Sequence, residues 1–162
     1  MIHIKIICVG KIKENSLSSL ISEYEKRISK YAKIDIIEVQ DEKFDKNLSD
    51  LDIDIIKEKE SNKVIEKINK LNKPYIIALD VNGKKLSSTK FAKEIENIPT
   101  HGYSTIVFLI GGSLGMSNKL LNMANEKICF SSLTFPHQLI RIFLLEQIFR
   151  AYKIINNENY HH

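Results

Sequence analysis

Thr105–Gly115 reads T-I-V-F-L-I-G-G-S-L-G, an uncharged apolar run that passes directly into a glycine-rich turn. A run that apolar suits a strand covered on both faces, as strands of parallel sheets are. Ile2–Val9, ended by Gly10, and Tyr75–Leu79 (Y-I-I-A-L) have the same character. Ile34–Val39 alternates in the β manner, and Ile128–Phe130 is a shorter candidate strand. The intervals between them carry helical spacing. Strands alternating with helices predict an α/β fold: a mainly parallel sheet with helices on both faces, with residues 1–162 as a single domain.

The helices are read from their punctuation. Ser16 is expected to cap a helix to about Tyr31, with Leu17, Leu20, Ile21, Tyr24 and Ile28 at helical intervals. Asp41–Leu51 is a charged connection, followed by a helix to about Leu71 in which Ile55, Ile56, Val64, Ile65 and Ile68 recur. Pro74 stops it, Asp80–Gly83 reads as a turn, and a helix follows over Ser88–Asn97. The glycine turn opens a helix through Asn125, and Pro136 opens the last one, to about Asn156. That last helix is apolar nearly all round, which predicts burial, with an oligomer interface as one means. Along it Glu146 and Arg150 stand four apart and can pair.

The composition is that of an ordinary globular chain, 43% hydrophobic and 27% charged. No apolar run is long enough to span a bilayer, and the first residues read as a strand and not a signal peptide, so a cytoplasmic, non-membrane protein is expected. Cys8 and Cys129 are expected as buried free thiols, and no metal site is expected. Net charge is +4, distributed as +4 over residues 1–33, −4 over 34–70 and +4 over 71–162. That balance permits a polyanionic partner without requiring one, and the acidic middle reads as solvated helix or loop.

In an open parallel sheet, ligands bind at the carboxyl ends of the strands. Leu79–Gly83, Gly111–Gly115 and Phe130–Pro136 are expected there. Gly111 and Gly112 let backbone approach a ligand closely. In F-S-S-L-T-F-P, Phe130, Leu133 and Phe135 offer apolar walls, while the backbone around Ser131, Ser132 and Thr134 offers uncharged hydrogen-bonding groups. That chemistry suits a purine held by main-chain bonds and suits a phosphate poorly. The Walker spacing is absent, and G-G-S-L-G lacks the dinucleotide spacing, which disfavours an NAD-dependent oxidoreductase.

I-G-G-S-L-G-M-S, then S-S-L-T-F-P-H-Q-L-I-R-I-F-L-L-E-Q-I-F-R-A-Y-K-I and a closing Y-H, resemble the RlmH family of SPOUT methyltransferases. The opening I-K-I-I-C-V-G-K-I-K and the central I-A-L-D-V-N-G-K also match, so the likeness runs through nearly the whole chain. It implies a SPOUT-type fold with a C-terminal trefoil knot and bent S-adenosylmethionine, at a site of Leu79, Gly111 and Phe130, Ser131, Ser132, Leu133, Thr134 and Phe135. It implies a homodimer that methylates N3 of a pseudouridine in helix 69 of 23S ribosomal RNA on the assembled ribosome. Relatives often carry leucine at the position of Phe130 and some carry methionine at that of Leu133; both departures keep an apolar wall. His162 replaces a basic residue and leaves the tail chemistry open.

An imide nitrogen must lose its proton before it attacks a methyl group, which calls for a base or a stabilising cation. His161 is the candidate base, Arg141 the stabiliser or RNA contact, and Tyr160 and Tyr152 shape the pocket. Lys5, Lys11, Lys13, Lys84 and Lys85 are the expected basic contacts to RNA. The alternative class is a non-catalytic adenosine-nucleotide- or RNA-binding module.

Overall fold

The computed structural model describes residues 1–160. Five strands, β1 (His3–Val9), β2 (Lys33–Val39), β3 (Tyr75–Lys85), β4 (Thr105–Ile110) and β5 (Glu126–Cys129), form one sheet in the order β2-β1-β4-β3-β5. Every pairing is parallel, as the apolar runs predict. Among the described residues no helix is long and apolar enough to cross a membrane.

Period-two alternation sorts the strands onto two hydrophobic layers. Ile4, Ile6 and Cys8 of β1 and Ile106, Phe108 and Ile110 of β4 face one layer with Ile77 of β3. Ile7, Val9, Val107 and Leu109 face the other with Ile76 and Ala78. Helices α1 (Asn15–Ile28), α3 (Ser88–Asn97) and α5 (His137–Ile155) cover the first face; α2 (Asp50–Asn69) and α4 (Asn118–Asn122) cover the second. Phe108, with no exposed surface, packs against Phe91 of α3 at 6.1 Å between ring centroids. Truncating a side chain so enclosed costs about 3–5 kcal/mol. Cys8 and Cys129 are both free and buried, and burial pushes the Cys8 thiol up to about 12.

Helix starts follow local chemistry. Ser49 and Asp52 form a reciprocal capping box at α2, each side chain accepting the other's backbone N–H at 3.1 Å. Ser87 caps α3 and Ser117 caps α4, each accepting an N–H three residues on at 3.2 Å. Ser16 does not cap α1; the helix begins one residue earlier, with extended backbone at Glu14 and no side-chain cap.

Two further expectations change. Asp80–Gly83 is not a turn that ends the strand, because β3 runs through it to Lys85. Register against β5 shifts between Leu79 and Lys84, so these residues form an excursion inside the strand. Gly83 is required there: a Cβ would lie 2.7 Å from the Ile128 backbone. The helix expected to reach Asn125 ends at Asn122, because Asn125, just before β5, is already bonded to β3. Its N–H donates to the Ile76 carbonyl and its side-chain oxygen accepts the Ile76 N–H, both at 2.8 Å.

The connection leaving β1 runs through α1 on one face of the sheet, while that leaving β4 runs through α4 on the other. Where neighbouring connections diverge, a crevice opens at the carboxyl edge.

Candidate functional site

A cavity of about 520 Å³ lies at that edge, over the ends of β4 and β5 and the excursion in β3. This is within the roughly 300–1,000 Å³ usual for small-molecule sites. Leu79, Gly111, Phe130, Ser131, Leu133, Thr134 and Phe135, all expected in a cofactor site, line it together. Ser132 does not; its hydroxyl accepts a hydrogen bond from Lys85 at 2.6 Å. Asp80–Asn82 of the β3 excursion and Gly112–Met116 of the glycine turn complete the lining, and His137 and Ile140 close the cavity from the start of α5.

The glycine turn is rigidly boxed. Gly115 donates to the Gly112 carbonyl at 3.0 Å and takes a φ of +88°, which favours glycine. A Cβ at Gly111 would come within 2.9 Å of Met116 Cγ, and one at Gly112 within 2.9 Å of Glu60 Oε1 and 3.2 Å of Val9 Cγ1. From behind, α2 supplies two buried polar residues, Glu60 and Ser61. Ser61 accepts the Ser117 N–H at 2.9 Å and so ties α2 to the exit of the turn. Glu60 Oε2 accepts the Glu42 N–H at 2.9 Å, while its Oε1 is buried without a hydrogen-bond partner among the described residues. Burial, helped by the nearby Asp41 and Glu42 carboxylates, raises its pKa above the ordinary 4.5.

These α2 residues escape the sequence reading, which takes the acidic middle as solvated. The signal was present: Glu60, Val64 and Ile68 fall at intervals of four, on one stripe, and all are buried. Ile55, counted among the apolar periodic positions, is 42% exposed.

The neutral turn is more open. Ser131 Oγ accepts the Leu133 N–H at 3.0 Å, and the Cys129 thiol donates to the Ser131 carbonyl at 3.1 Å. Leu133 is 71% exposed and Phe135 40%. Phe135 meets the equally exposed Phe143 edge-on at 5.3 Å. Phe130, Ser131 and Phe135 also form a wall of a second cavity, about 490 Å³, between α3 and α5.

Arg141 does not line either cavity. It is 1% exposed, its Nη1 paired with Glu38 at 2.6 Å and its Nη2 donating to the Gly10 carbonyl at 3.2 Å. The pair of a buried guanidinium with the partly exposed Glu38 fixes the start of α5. One turn earlier on the same face, His137 reaches the cavity with its ring over Gly10, where a Cβ would meet Nε2 at 3.2 Å. Burial first, and the Arg141 charge second, hold the His137 imidazole below its ordinary 6.5, so it is neutral at pH 7.

The tail folds back along α5. Tyr160 donates to Glu146 Oε1 at 3.1 Å and packs edge-on against Phe149 at 5.1 Å. The expected Glu146–Arg150 pair forms at 2.8 Å. Tyr152 stacks on Tyr31 at 5.6 Å, away from both cavities. His161 lies outside the described residues. Of the expected basic contacts, Lys5 pairs with Asp35 and Lys84 is held by Glu94 and Glu126, while Lys85, bonded to Ser132, and Lys11 and Lys13 are exposed cations.

Two solved structures share this fold at low sequence identity. A probable methylase family protein from Haemophilus influenzae Rd KW20 aligns with a TM-score of 0.51 and 10% identity, over 95% of this chain and 66% of that one. A tRNA (m1G37) methyltransferase from Aquifex aeolicus aligns at 0.50 and 14%, over 91% and 69%. Much nearer in sequence are two proteins named ribosomal RNA large subunit methyltransferase H. That of Clostridium kluyveri is 49% identical over 159 residues, covering 98% of this chain and 99% of its own. That of Clostridium botulinum (strain Hall) is 52% identical with the same coverage. The family profile described as a predicted SPOUT methyltransferase matches residues 2–161. With a parallel α/β sheet, a glycine-walled cavity at its carboxyl edge and this full-length match, the chain belongs to the SPOUT methyltransferases, and among them stands with the ribosomal RNA large subunit methyltransferases H.

Proposed function

We propose that this methyltransferase takes its methyl group from S-adenosylmethionine and delivers it to N3 of a pseudouridine in helix 69 of 23S ribosomal RNA, on the assembled ribosome in the cytoplasm. The observation that carries the reading is the convergence of two turns and the β3 excursion on one cavity of about 520 Å³, with only Lys57 and Asp80 formally charged among its lining residues. The full-length relatives named for ribosomal RNA methylation supply the substrate class.

The lining suits an adenosyl group. Leu79, Ile128, Phe130 and Ile140 offer apolar surface, the turns offer backbone donors and acceptors, and Gly111 and Gly112 leave room that a Cβ would fill. When bound, the sulfonium supplies an electrophilic methyl carbon for in-line displacement. The chain's task is alignment and management of the imide proton. Arg141, locked to Glu38 and Gly10, positions α5 so that neutral His137 sits at the cavity rim. His161 is proposed as the base or substrate contact; the adjoining Tyr160 lines neither cavity of its own chain and is proposed to serve the neighbouring subunit's pocket. Family membership also carries the proposal that the chain beyond Gly111 is threaded as a trefoil knot.

The active form is proposed to be a homodimer. Support comes from Phe135 and Phe143, both 40% exposed, at the mouth of the second cavity between α3 and α5. An apolar opening of that kind suits a protein partner. In a dimer the Tyr160–His161 tail would complete the neighbouring subunit's site.

The test is incubation of ribosomes lacking the modification with the protein and a methyl-labelled donor. Label is expected in helix 69, at the pseudouridine, and in intact ribosomes far above naked RNA. Label in another RNA, or equal labelling of short fragments, overturns the substrate assignment. Full turnover by His161→Ala removes that residue from the mechanism, and a monomer by sedimentation equilibrium removes the shared site.

A further inference from the structure

The methyl-donor cavity spans the carboxyl edge of the sheet from one face to the other. His137 and Ile140 enter from α5 on one side, while Lys57 enters from α2 on the side shared with α4. Among the lining residues, Lys57 and Asp80 carry formal charge at pH 7, since His137 is neutral. Asp80 is partly engaged, its Oδ1 accepting the Asn82 N–H at 3.4 Å. Lys57 has no hydrogen bond or ion pair with any described residue.

Of the four lysines on α2, only Lys63 is bonded to other described residues, and only Lys57 lines the cavity. Asp54 and Glu60 stand three residues to either side on the same helix, the spacing at which lysine and carboxylate ordinarily meet. Lys63, two turns further along α2, is fully used, donating to the Gln40 carbonyl at 3.0 Å and to Glu42 at 2.9 Å. Lys57 instead stands half-buried at the lip of a cavity whose other walls are mostly neutral turns. A lysine placed there is positioned to meet an anion inside the cavity.

S-adenosylmethionine bears a sulfonium, an ammonium and one carboxylate, and the carboxylate is its only anion. We propose that Lys57 anchors that carboxylate. The amino-acid end of the donor then lies toward α2 and α4, and the nucleoside lies among the apolar residues nearer α5. The assignment rests on the methyl-donor reading above and adds to it a direction for the ligand and a residue that selects for the amino-acid moiety.

The experiment is calorimetry of the full chain with two ligands, S-adenosylhomocysteine and 5′-methylthioadenosine, which lacks the amino-acid end. Lys57→Ala is expected to weaken S-adenosylhomocysteine about three- to fivefold, the range of a half-exposed ion pair, and to leave methylthioadenosine unchanged. Lys57→Glu is expected to weaken it further, and Lys57→Arg to restore it. Added salt is expected to weaken wild-type binding of S-adenosylhomocysteine more than that of the variant. Equal loss for both ligands would mean a packing role and overturn the proposal. So would unchanged S-adenosylhomocysteine affinity, including the case where Lys57→Ala weakens only ribosome binding, as a phosphate contact would. If the wild-type chain bound neither ligand, the donor reading itself would fall, a result these variants cannot mimic.

Discussion

The glycine turn and the neutral turn meet at one cavity and are built in opposite ways. Gly111–Gly115 is closed in by Met116, Val9 and the buried Glu60 and Ser61 of α2, so its backbone has little room to move. Phe130–Pro136 is held by short local bonds and by Lys85, with Leu133 71% exposed. One wall is formed before any ligand arrives. The other presents apolar side chains that only a ligand or a second subunit can cover, and it belongs to the low-stability end of the molecule where binding segments are found.

The contrast is broken most severely by Gly111→Arg. The new side chain starts from a Cβ already 2.9 Å from Met116 Cγ and must fill the cavity. S-adenosylhomocysteine binding should be undetectable by calorimetry while circular dichroism still reports a folded chain. Retained binding would place the ligand elsewhere.

Arg141→Met comes next and acts on stability. It leaves Glu38 without its partner at the base of α5, an effect of about 3 kcal/mol, the low end for a broken buried pair because Glu38 keeps some solvent contact. Urea denaturation measures it. A loss near 0.5 kcal/mol would mark the pair as a surface-like contact.

Leu133→Ser should separate binding from folding. Stability should stay within about 0.5 kcal/mol, as for exposed positions. Affinity for S-adenosylhomocysteine should fall roughly fivefold to tenfold, the effect of a leucine buried only in the complex. Equal losses of stability and affinity would make the neutral turn as preformed as the glycine turn.

The smallest effects are in the pH dependence, and they have opposite signs. Glu60 has a raised pKa, so between its ordinary 4.5 and that raised value the folded chain holds more protons than the unfolded one. Its contribution therefore falls as pH rises through that window, and Glu60→Gln should flatten the fall. His137 has a lowered pKa, so below its ordinary 6.5 the unfolded chain holds more protons, and its contribution falls as pH falls. His137→Asn should flatten that loss. Urea midpoints of the three proteins across this range check both signs, and identical curves would remove both groups from the balance.

Most of the fold is legible from residue patterns because its strands are covered on both faces and its helices are punctuated by serine and proline. β4 and α3 occupy the residues that their patterns predict. The differences arise where distant chain decides local structure. Asn125 leaves its helix because Ile76 offers both backbone groups, and Asp80–Gly83 stays in a strand because β5 approaches closely enough to demand Gly83. Neither partner can be found from local periodicity. In the site, the glycine turn and the neutral turn are readable because glycine and alternating hydroxyl and apolar residues state their backbone chemistry directly. Lys57 is not, since its function depends on which side of an acidic helix faces a cavity. Arg141 shows the same limit: it is expected as a stabiliser or RNA contact, yet Glu38 and Gly10, more than a hundred residues away, take its guanidinium.

That long reach has a consequence for how the molecule comes into being. Arg141 meets Gly10 across 131 residues and Glu38 across 103, so α5 finds its berth only against the ends of β1 and β2, made long before it. Contacts between such remote stretches close late and slowly. The ribosome must therefore release the chain through α5 before the rim around His137 can assemble, and a chain stopped short of α5 would carry the glycine turn but no completed pocket.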